Sequence, residues 1–93
     1  MAKFISLINW TDQGAKSASD TVDRAEAAQK LAADMGGSME IYWTMGQYDI
    51  VSITDFADDD TAVKFLAKVS SLGNIRTSTM RAFDANDVRR IMS

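Results

Sequence analysis

Apolar and β-branched residues concentrate in four short segments of the chain, and this pattern predicts four β-strands. The first, Phe4–Asn9, carries apolar side chains at odd and even positions, which is typical of a strand covered on both faces. Met39–Thr44 and Asp49–Phe56 are separated only by a short Gly-containing segment, so we expect them to form an antiparallel hairpin. The fourth strand, Asn74–Phe83, is Thr-rich and alternating.

Two further segments place apolar residues at steps of three and four, which predicts two amphipathic helices. The first begins at Asp20 or Thr21, whose side chains can accept a backbone N–H bond, and ends at Gly36-Gly37. The second begins at Asp58–Asp60, whose charges suit the positive end of the helix dipole, and ends at Gly73. The predicted buried stripes are Val22, Ala25, Ala28, Leu31, Ala32 and Met35 in the first helix, and Ala62, Phe65, Leu66, Val69 and Leu72 in the second.

The remaining segments are predicted as a loop and a short terminal helix. Trp10–Asp20 is polar and small and favours a loop. Asp84, with Asp87 three residues later, predicts the start of a C-terminal helix that turns Val88 and Ile91 inward. The element order is β-α-β-β-α-β, which predicts an α+β fold of the ferredoxin-like type. In this fold a four-stranded antiparallel sheet carries both helices on one face.

The hairpin register decides which side chains the helices cover. Pairing Thr44 with Tyr48 segregates the apolar residues best, so we expect that register. It places Met39, Ile41, Trp43, Val51 and Ile53 under the helices, and Glu40, Tyr42, Thr44, Tyr48, Ile50, Ser52 and Thr54 on the opposite face. A mixed face of this kind suits packing against a second sheet. We therefore predict a homodimer, or a larger assembly, in which two sheets face each other as a barrel.

Composition limits the size and chemistry of the protein. The 93 residues are expected to form one domain, residues 1–93, which is too small to bury much of its surface as a monomer. The chain has no cysteine and no histidine, which removes thiolate and imidazole metal sites and any Ser-His-Asp triad. We expect no metal and no cofactor. Whether the protein is an enzyme stays open at this stage.

Charge and N-terminal pattern bear on partners and location. The formal net charge is −3, and basic residues are scattered among acids, so we expect no nucleic-acid binding. The apolar run after Met1 is too short to span a membrane and lacks a signal-peptide cleavage site. A cytoplasmic protein without membrane contact is expected.

Eight residues are candidates for binding a small-molecule ligand. Gly46 permits a bend, after which Tyr48 can offer a hydroxyl and Asp49 can accept backbone N–H bonds, although a plain hairpin corner explains the same residues. Aromatic groups with a few polar neighbours are typical of pockets, and an arginine can hold a carboxylate. Core packing and surface ion pairs remain the alternative roles. The candidates are Asn9, Trp10, Tyr42, Trp43, Tyr48, Asp49, Arg76 and Arg81.

Three separated motifs resemble one protein family. SLINWT near the start, YWTMGQYD in the hairpin and SLGNIRTSTMRAF at the last strand are similar to the GYD family of small bacterial proteins, although here the name-giving motif has one inserted residue. The resemblance runs over nearly the whole chain. It implies the fold of the dimeric α/β barrels.

Two related groups imply different functions. The hairpin and the Gly73–Thr77 segment resemble the effector-sensing domains of leucine-responsive regulators, which implies a non-catalytic, homo-oligomeric module that binds a small molecule or another partner. The alternative is a cofactor-independent monooxygenase or isomerase of the barrel superfamily, acting on an aromatic or enolisable substrate. In that case Asn9, Trp10 and Tyr48 would be the working residues, and no specific catalytic motif matches.

Overall fold

A four-stranded antiparallel sheet forms one layer of the protein, and helices form the other. The computed structural model describes residues 2–93. The strands are β1 (Ala2–Trp10), β2 (Ser38–Trp43), β3 (Ile50–Phe56) and β4 (Ile75–Ala82), and the helices are α1 (Asp12–Lys16), α2 (Thr21–Asp34), α3 (Asp59–Ser70) and α4 (Ala85–Met92). The strand order is β2-β3-β1-β4. This confirms the predicted ferredoxin-like α+β fold with its short C-terminal helix.

The core lies between the sheet and the two long helices. Phe56 and Phe65 are fully buried, and their rings meet at a centroid distance of 5.1 Å. Ala32 and Ala62 complete the buried cluster, because small side chains let α2 and α3 approach the sheet closely. Gly37 packs directly against β3, since a Cβ at that position would collide with the Asp55 carbonyl and the Phe56 ring.

The expected hairpin register is wrong by one residue. The backbone N–H of Thr44 donates to the Asp49 carbonyl at 2.9 Å, so Thr44 pairs with Asp49 rather than with Tyr48. Trp43 consequently pairs with Ile50 and Ile41 with Ser52. A one-residue slip moves every side chain of one strand to the other face. The helix face of β3 therefore carries Ile50, Ser52, Thr54 and Phe56, and Val51 and Ile53 lie on the opposite face.

Buried hydroxyl groups explain why the register that best separates apolar from polar residues is not the one that the hairpin adopts. Ser6, Ser52 and Thr54 are all buried beneath the helices. The Ser6 hydroxyl shares a 2.8 Å hydrogen bond with that of Thr79 on the neighbouring strand, which offsets the cost of burying both groups. A small hydroxyl side chain occupies little space, so the helices can approach the sheet here.

The corrected register gives the sheet a more apolar open face, defined here as the side away from α2 and α3. Backbone alternation along each strand places alternate side chains there. Met80 and Tyr42 remain 45% and 54% exposed in the monomer. The apolar members of the open face that are larger than alanine are Ile5, Leu7, Tyr42, Val51, Ile53 and Met80.

The segment predicted as a loop after β1 contains a short helix, α1. The Thr11 hydroxyl accepts a bond from Gly14 N at 3.2 Å and donates to the Gly73 carbonyl at 2.6 Å. Gln13 Nε2 donates to the Leu72 carbonyl and to Asn74 Oδ1, both at 2.9 Å. The polar composition of this segment did not predict a helix. The helix is stabilised by hydrogen bonds to the segment before β4, which is distant in sequence.

The helix ends agree only in part with expectation. Asp84 accepts the predicted capping bond, from Asp87 N. Asp58, for which only a favourable charge was predicted, also caps its helix by accepting a bond from Thr61 N. Asp20 makes no side-chain cap bond, because a 3₁₀ turn at Ala18–Asp20 leads directly into α2.

The inward orientation expected for the apolar residues of α4 is wrong. Val88 is 47% and Ile91 55% exposed, and none of the residues of α4 is buried. The two helices that pack on the sheet already cover its helix face, and α4 follows the end of β4 without a core to enter.

Candidate binding cleft

An apolar cleft of about 450 Å³ lies between the sheet and helices α2 and α3. Its volume is within the range of small-molecule pockets. Ile8, Met39, Ile41, Ile50 and Ile75 form its sheet side. Ala25, Ala28, Leu31 and Val69 form its helix side, and Leu72, which follows α3, also lines it. The cleft exists because alanines on α2 leave space over the large aliphatic side chains of the sheet.

The polar side chains along the cleft include two cations. Arg24 lines it from α2 and Lys68 from α3, together with Thr21 and Asn74. The Arg24 guanidinium donates to the Ser17 carbonyl at 2.8 Å and to the Gly14 carbonyl at 3.2 Å, which holds the α1 segment against α2. No aspartate or glutamate lines the cleft within residues 2–93.

Trp10 lies at the end of β1 and lines the cleft. Its backbone N–H donates to Asp49 Oδ2 at 3.0 Å, and the backbone N–H of Asp49 donates to the Ile8 carbonyl at 3.0 Å. Its indole Nε1 is buried and has no hydrogen-bond partner in the described part of the chain. Asp49 therefore binds the hairpin corner to the end of the strand that carries Trp10.

Two other candidate aromatic residues, Trp43 and Tyr48, lie around the hairpin. Trp43 Nε1 donates to Thr21 Oγ1 at 3.0 Å, so the ring spans from β2 to the first residue of α2. Tyr48 is half-buried, and its carbonyl accepts a 2.6 Å bond from the Thr44 hydroxyl. Gly46 adopts φ +124°, a conformation that L-residues rarely take, and so permits the bend.

Three candidates lie on the open face rather than in the cleft. Asn9 and Arg76 are direct partners in the β1–β4 register. The Tyr42 hydroxyl donates to Glu40 Oε2 at 2.9 Å. This hydrogen bond, together with the negative charge of Glu40, raises the pKa of Tyr42 above its usual value. None of the three is placed to share a ligand with Trp10, because the sheet lies between them.

Arg81 lies at the other end of the sheet, where it fixes the chain before α4. Its guanidinium lies 4.6 Å from the ring centroid of Phe83 and 5.5 Å from that of Phe4. The guanidinium donates to the Lys3 carbonyl at 3.2 Å and to the Ala82 carbonyl at 2.6 Å. Register pairing with Phe4 places it six residues along β1 from Trp10. The contacts of Arg81 are those of a structural residue.

Of the eight candidates, Trp10 lines the cleft, Asp49 is hydrogen-bonded to Trp10, and Trp43 is bonded to Thr21 at the cleft. Tyr48 lies in the hairpin turn. The other four candidates lie on the open face or at the far end of the sheet. Sequence reasoning missed Arg24 and Lys68. Each directly precedes an apolar residue of its helix stripe, Ala25 or Val69, and so lies at the flank of the buried face. A charged residue at the flank of a buried helix face could have been predicted from the sequence to lie at the rim of a cleft.

Residues 2–93 contain neither a cluster of metal-binding side chains nor a membrane-spanning helix. No group of three or more acidic side chains is arranged to hold a metal ion. No helix in this part of the chain has the length and apolar character needed to cross a membrane.

The model of the GYD domain matches residues 4–92. The chain belongs to the GYD domain family. A Thermus thermophilus protein named glutamine synthetase and cystathionine beta-lyase binding protein is 30% identical to it over 90 residues, which is 95% of either chain.

Solved structures agree with the fold of this GYD domain. A crystal structure of a Thermus thermophilus protein aligns with a TM-score of 0.60 at 24% identity, covering 91% of this chain and 96% of the other. A chlorite dismutase-like structure aligns with a TM-score of 0.61 at 15% identity, covering 100% of this chain and 49% of the other. At these identities the likeness concerns the fold alone, the ferredoxin-like α+β fold described above.

Proposed function

We propose that this GYD domain is a homodimeric binding module without catalytic activity of its own. Its cleft takes a small molecule, and its outer surface contacts another protein. The single observation that carries the proposal is the apolar cleft between the sheet and the helices. A pocket of about 450 Å³ with mostly aliphatic walls is suited to hold an apolar molecule.

The side chains that line the cleft favour ligand binding over catalysis. Acid–base catalysis needs a group whose pKa lies near the working pH, or paired groups within hydrogen-bond reach. The ionisable side chains that line the cleft are Arg24 and Lys68, and neither faces a carboxylate there. Cations without a base can orient a ligand and stabilise its charge, which is the task of a binding protein.

The monooxygenase or isomerase alternative requires Asn9, Trp10 and Tyr48 to act together. Consecutive residues of a strand project to opposite faces. Trp10 lines the cleft, so Asn9 lies on the open face of the sheet. This separation makes a joint site unfavourable and supports the non-catalytic proposal.

The open face supports the homodimer. It carries six apolar side chains larger than alanine, and the molecule measures only 17 Å along its shortest axis, as expected for two layers. A large exposed apolar patch is typical of an interaction surface. The fold neighbours are dimeric α/β barrel proteins, and packing two sheets face to face would cover the patch on both copies.

A protein partner is supported by the relative in Thermus thermophilus. Its name describes a protein that binds two enzymes. The identity of 30% over 95% of both chains makes an interaction with a larger protein a reasonable proposal for this chain.

Fluorescence titration with 1-decanol tests the small-molecule part of the proposal. The chain has two tryptophans, so Trp43→Phe leaves Trp10 in the cleft as the only indole reporter. We expect a saturable change in Trp10 emission as the alcohol displaces water beside the ring. Calorimetric titration of the unsubstituted protein checks that Trp43→Phe has not created the site.

A volume-filling variant localises the binding. Ala25→Leu places a larger side chain in the cleft, and Ala33→Leu places the same side chain on the exposed side of α2. We expect Ala25→Leu to weaken decanol binding and Ala33→Leu to leave it unchanged. No binding by the parent protein, or equal binding by both variants, would contradict a ligand site in the cleft.

A further inference from the structure

We propose that the cleft selects organic anions, namely molecules with an apolar body and a carboxylate head that lies between Lys68 and Arg24. This inference rests on the proposed binding function and adds the class of ligand. The two cations line the cleft from different helices, α3 and α2, while the chain as a whole carries a net charge of −3. The cleft is therefore positive in a protein that is otherwise acidic.

The cations along the cleft lack carboxylate partners. Within residues 2–93 the ion pairs are Lys30–Asp34, Arg81–Asp59 and Arg90–Asp87. Arg24 donates its hydrogen bonds to neutral acceptors, Gly14 O, Ser17 O and Ser17 Oγ. Such bonds position the guanidinium but leave its charge uncompensated. A ligand carboxylate would supply the missing opposite charge.

The amide group along the cleft also favours an acceptor-rich ligand. Asn74 Oδ1 already accepts a 2.9 Å bond from Gln13 Nε2, so the NH₂ group is what Asn74 can offer. Lys68 adds an ammonium that can only donate. The groups available at the rim are thus mainly donors, and a carboxylate brings acceptors without bringing a donor of its own.

The apolar walls of the cleft favour a ligand whose remaining part is an apolar body. Leu31, Met39, Ile41 and Val69 face the same space that the cations border. Each CH₂ group removed from water contributes roughly 0.8 kcal/mol, so an aliphatic or aromatic body supplies most of the affinity. Lys68 is exposed, which places the charged head at the solvent side and the apolar body further in.

Three decyl probes with different head groups test the inference on the Trp43→Phe protein. They are decanoate, 1-decanol and decyltrimethylammonium, titrated at one ionic strength below their micelle concentrations. We expect decanoate to bind most tightly and the cationic probe least tightly. Added salt should weaken decanoate binding and leave decanol binding nearly unchanged.

Two lysines of α3 provide a matched pair of variants. Lys68 lines the cleft, and Lys64 is exposed one turn earlier without lining it. We expect Lys68→Gln to weaken decanoate binding about three- to fivefold, the scale of a partly exposed charge pair, and to leave decanol binding unchanged. Lys64→Gln should change neither. Arg24→Lys, which keeps the charge, should retain the preference for decanoate.

The outcomes separate the two proposals. Equal affinities for decanoate and decanol, or a loss of decanoate affinity that is the same in both lysine variants, would overturn the anion selectivity while leaving the binding cleft in place. Failure of all three probes to bind would overturn both.

Discussion

Asp49 has the most defined structural role among the candidate residues. Its carboxylate accepts the backbone N–H of Trp10, and its own N–H donates to Ile8 O, so one residue joins the hairpin corner to β1. The sequence predicted that Asp49 would accept backbone N–H bonds near the turn. The acceptor bond reaches 39 residues along the chain, a contact that local pattern cannot reveal.

Removing the Asp49 carboxylate should destabilise the protein and disturb Trp10. We expect Asp49→Ala to lower the free energy of unfolding by about 1.5–3 kcal/mol, the usual contribution of a hydrogen bond to a charged group. Glu26→Ala, on the exposed side of α2, is the control and should have little effect. Urea unfolding followed by tryptophan fluorescence measures both. Equal stabilities of the two variants would show that the bond to Trp10 contributes nothing.

Asp58 gives a prediction about pH. Hydrogen bonds from the Thr61 hydroxyl and backbone N–H lower the pKa of Asp58 below its usual value of 3.8. Because the folded pKa lies below the unfolded one, the stabilisation by this carboxylate is present above pH 3.8 and is lost as the pH falls through the folded pKa.

The free energies of unfolding of the parent protein and Asp58→Ala should therefore differ by a constant amount near neutral pH. The difference should shrink in more acidic solution. Urea unfolding across a pH series measures this difference. A gap that stayed constant into strong acid would contradict the role of the ionised cap.

The elements themselves were largely predictable, and their exact pairing was not. Apolar periodicity located all four strands and both long helices, because burial on one face enforces that periodicity. The β2–β3 register depended on whether β3 buries its hydroxyl or its aliphatic residues. It buries Ser52 and Thr54, which only the packing of α2 and α3 against the sheet decides.

Helix α1 is the element for which composition was misleading. Gly14 is its one buried residue, and a Cβ there would overlap the Asn74 carbonyl. We expect Gly14→Ala to destabilise the protein by about 1–3 kcal/mol, as overpacking does. Ala15→Ser, on the exposed side of the same helix, should be nearly neutral. Thermal unfolding compares the two, and an unperturbed Gly14→Ala protein would argue against the close contact of α1 with the start of β4.

At the scale of the whole molecule, one face of the sheet is packed and the other is open. Chain length and the mixed strand faces predicted a second copy, and the register found in the structure makes the open face more apolar than expected. The cleft was harder to foresee. It depends on alanines of α2 lying over isoleucines from all four strands, Ile8, Ile41, Ile50 and Ile75, and no single segment of the sequence encodes that arrangement.

A charge on the open face should separate the subunits. Ile53→Glu places a carboxylate in the proposed interface, whereas Val63→Glu places one on α3 at a site that is already 64% exposed. We expect the first variant to be monomeric and the second dimeric by light scattering after size exclusion, with circular dichroism to show that both fold. A dimer in both cases would place the interface elsewhere.

Native mass spectrometry in the presence of decanoate tests the homodimeric binding module most directly, since it counts subunits and ligands together. The account predicts a species of twice the 10.2 kDa chain mass that takes up as many as two decanoates, one per cleft. A chain that remains monomeric at micromolar concentration, or a dimer that takes up no decanoate, would contradict it.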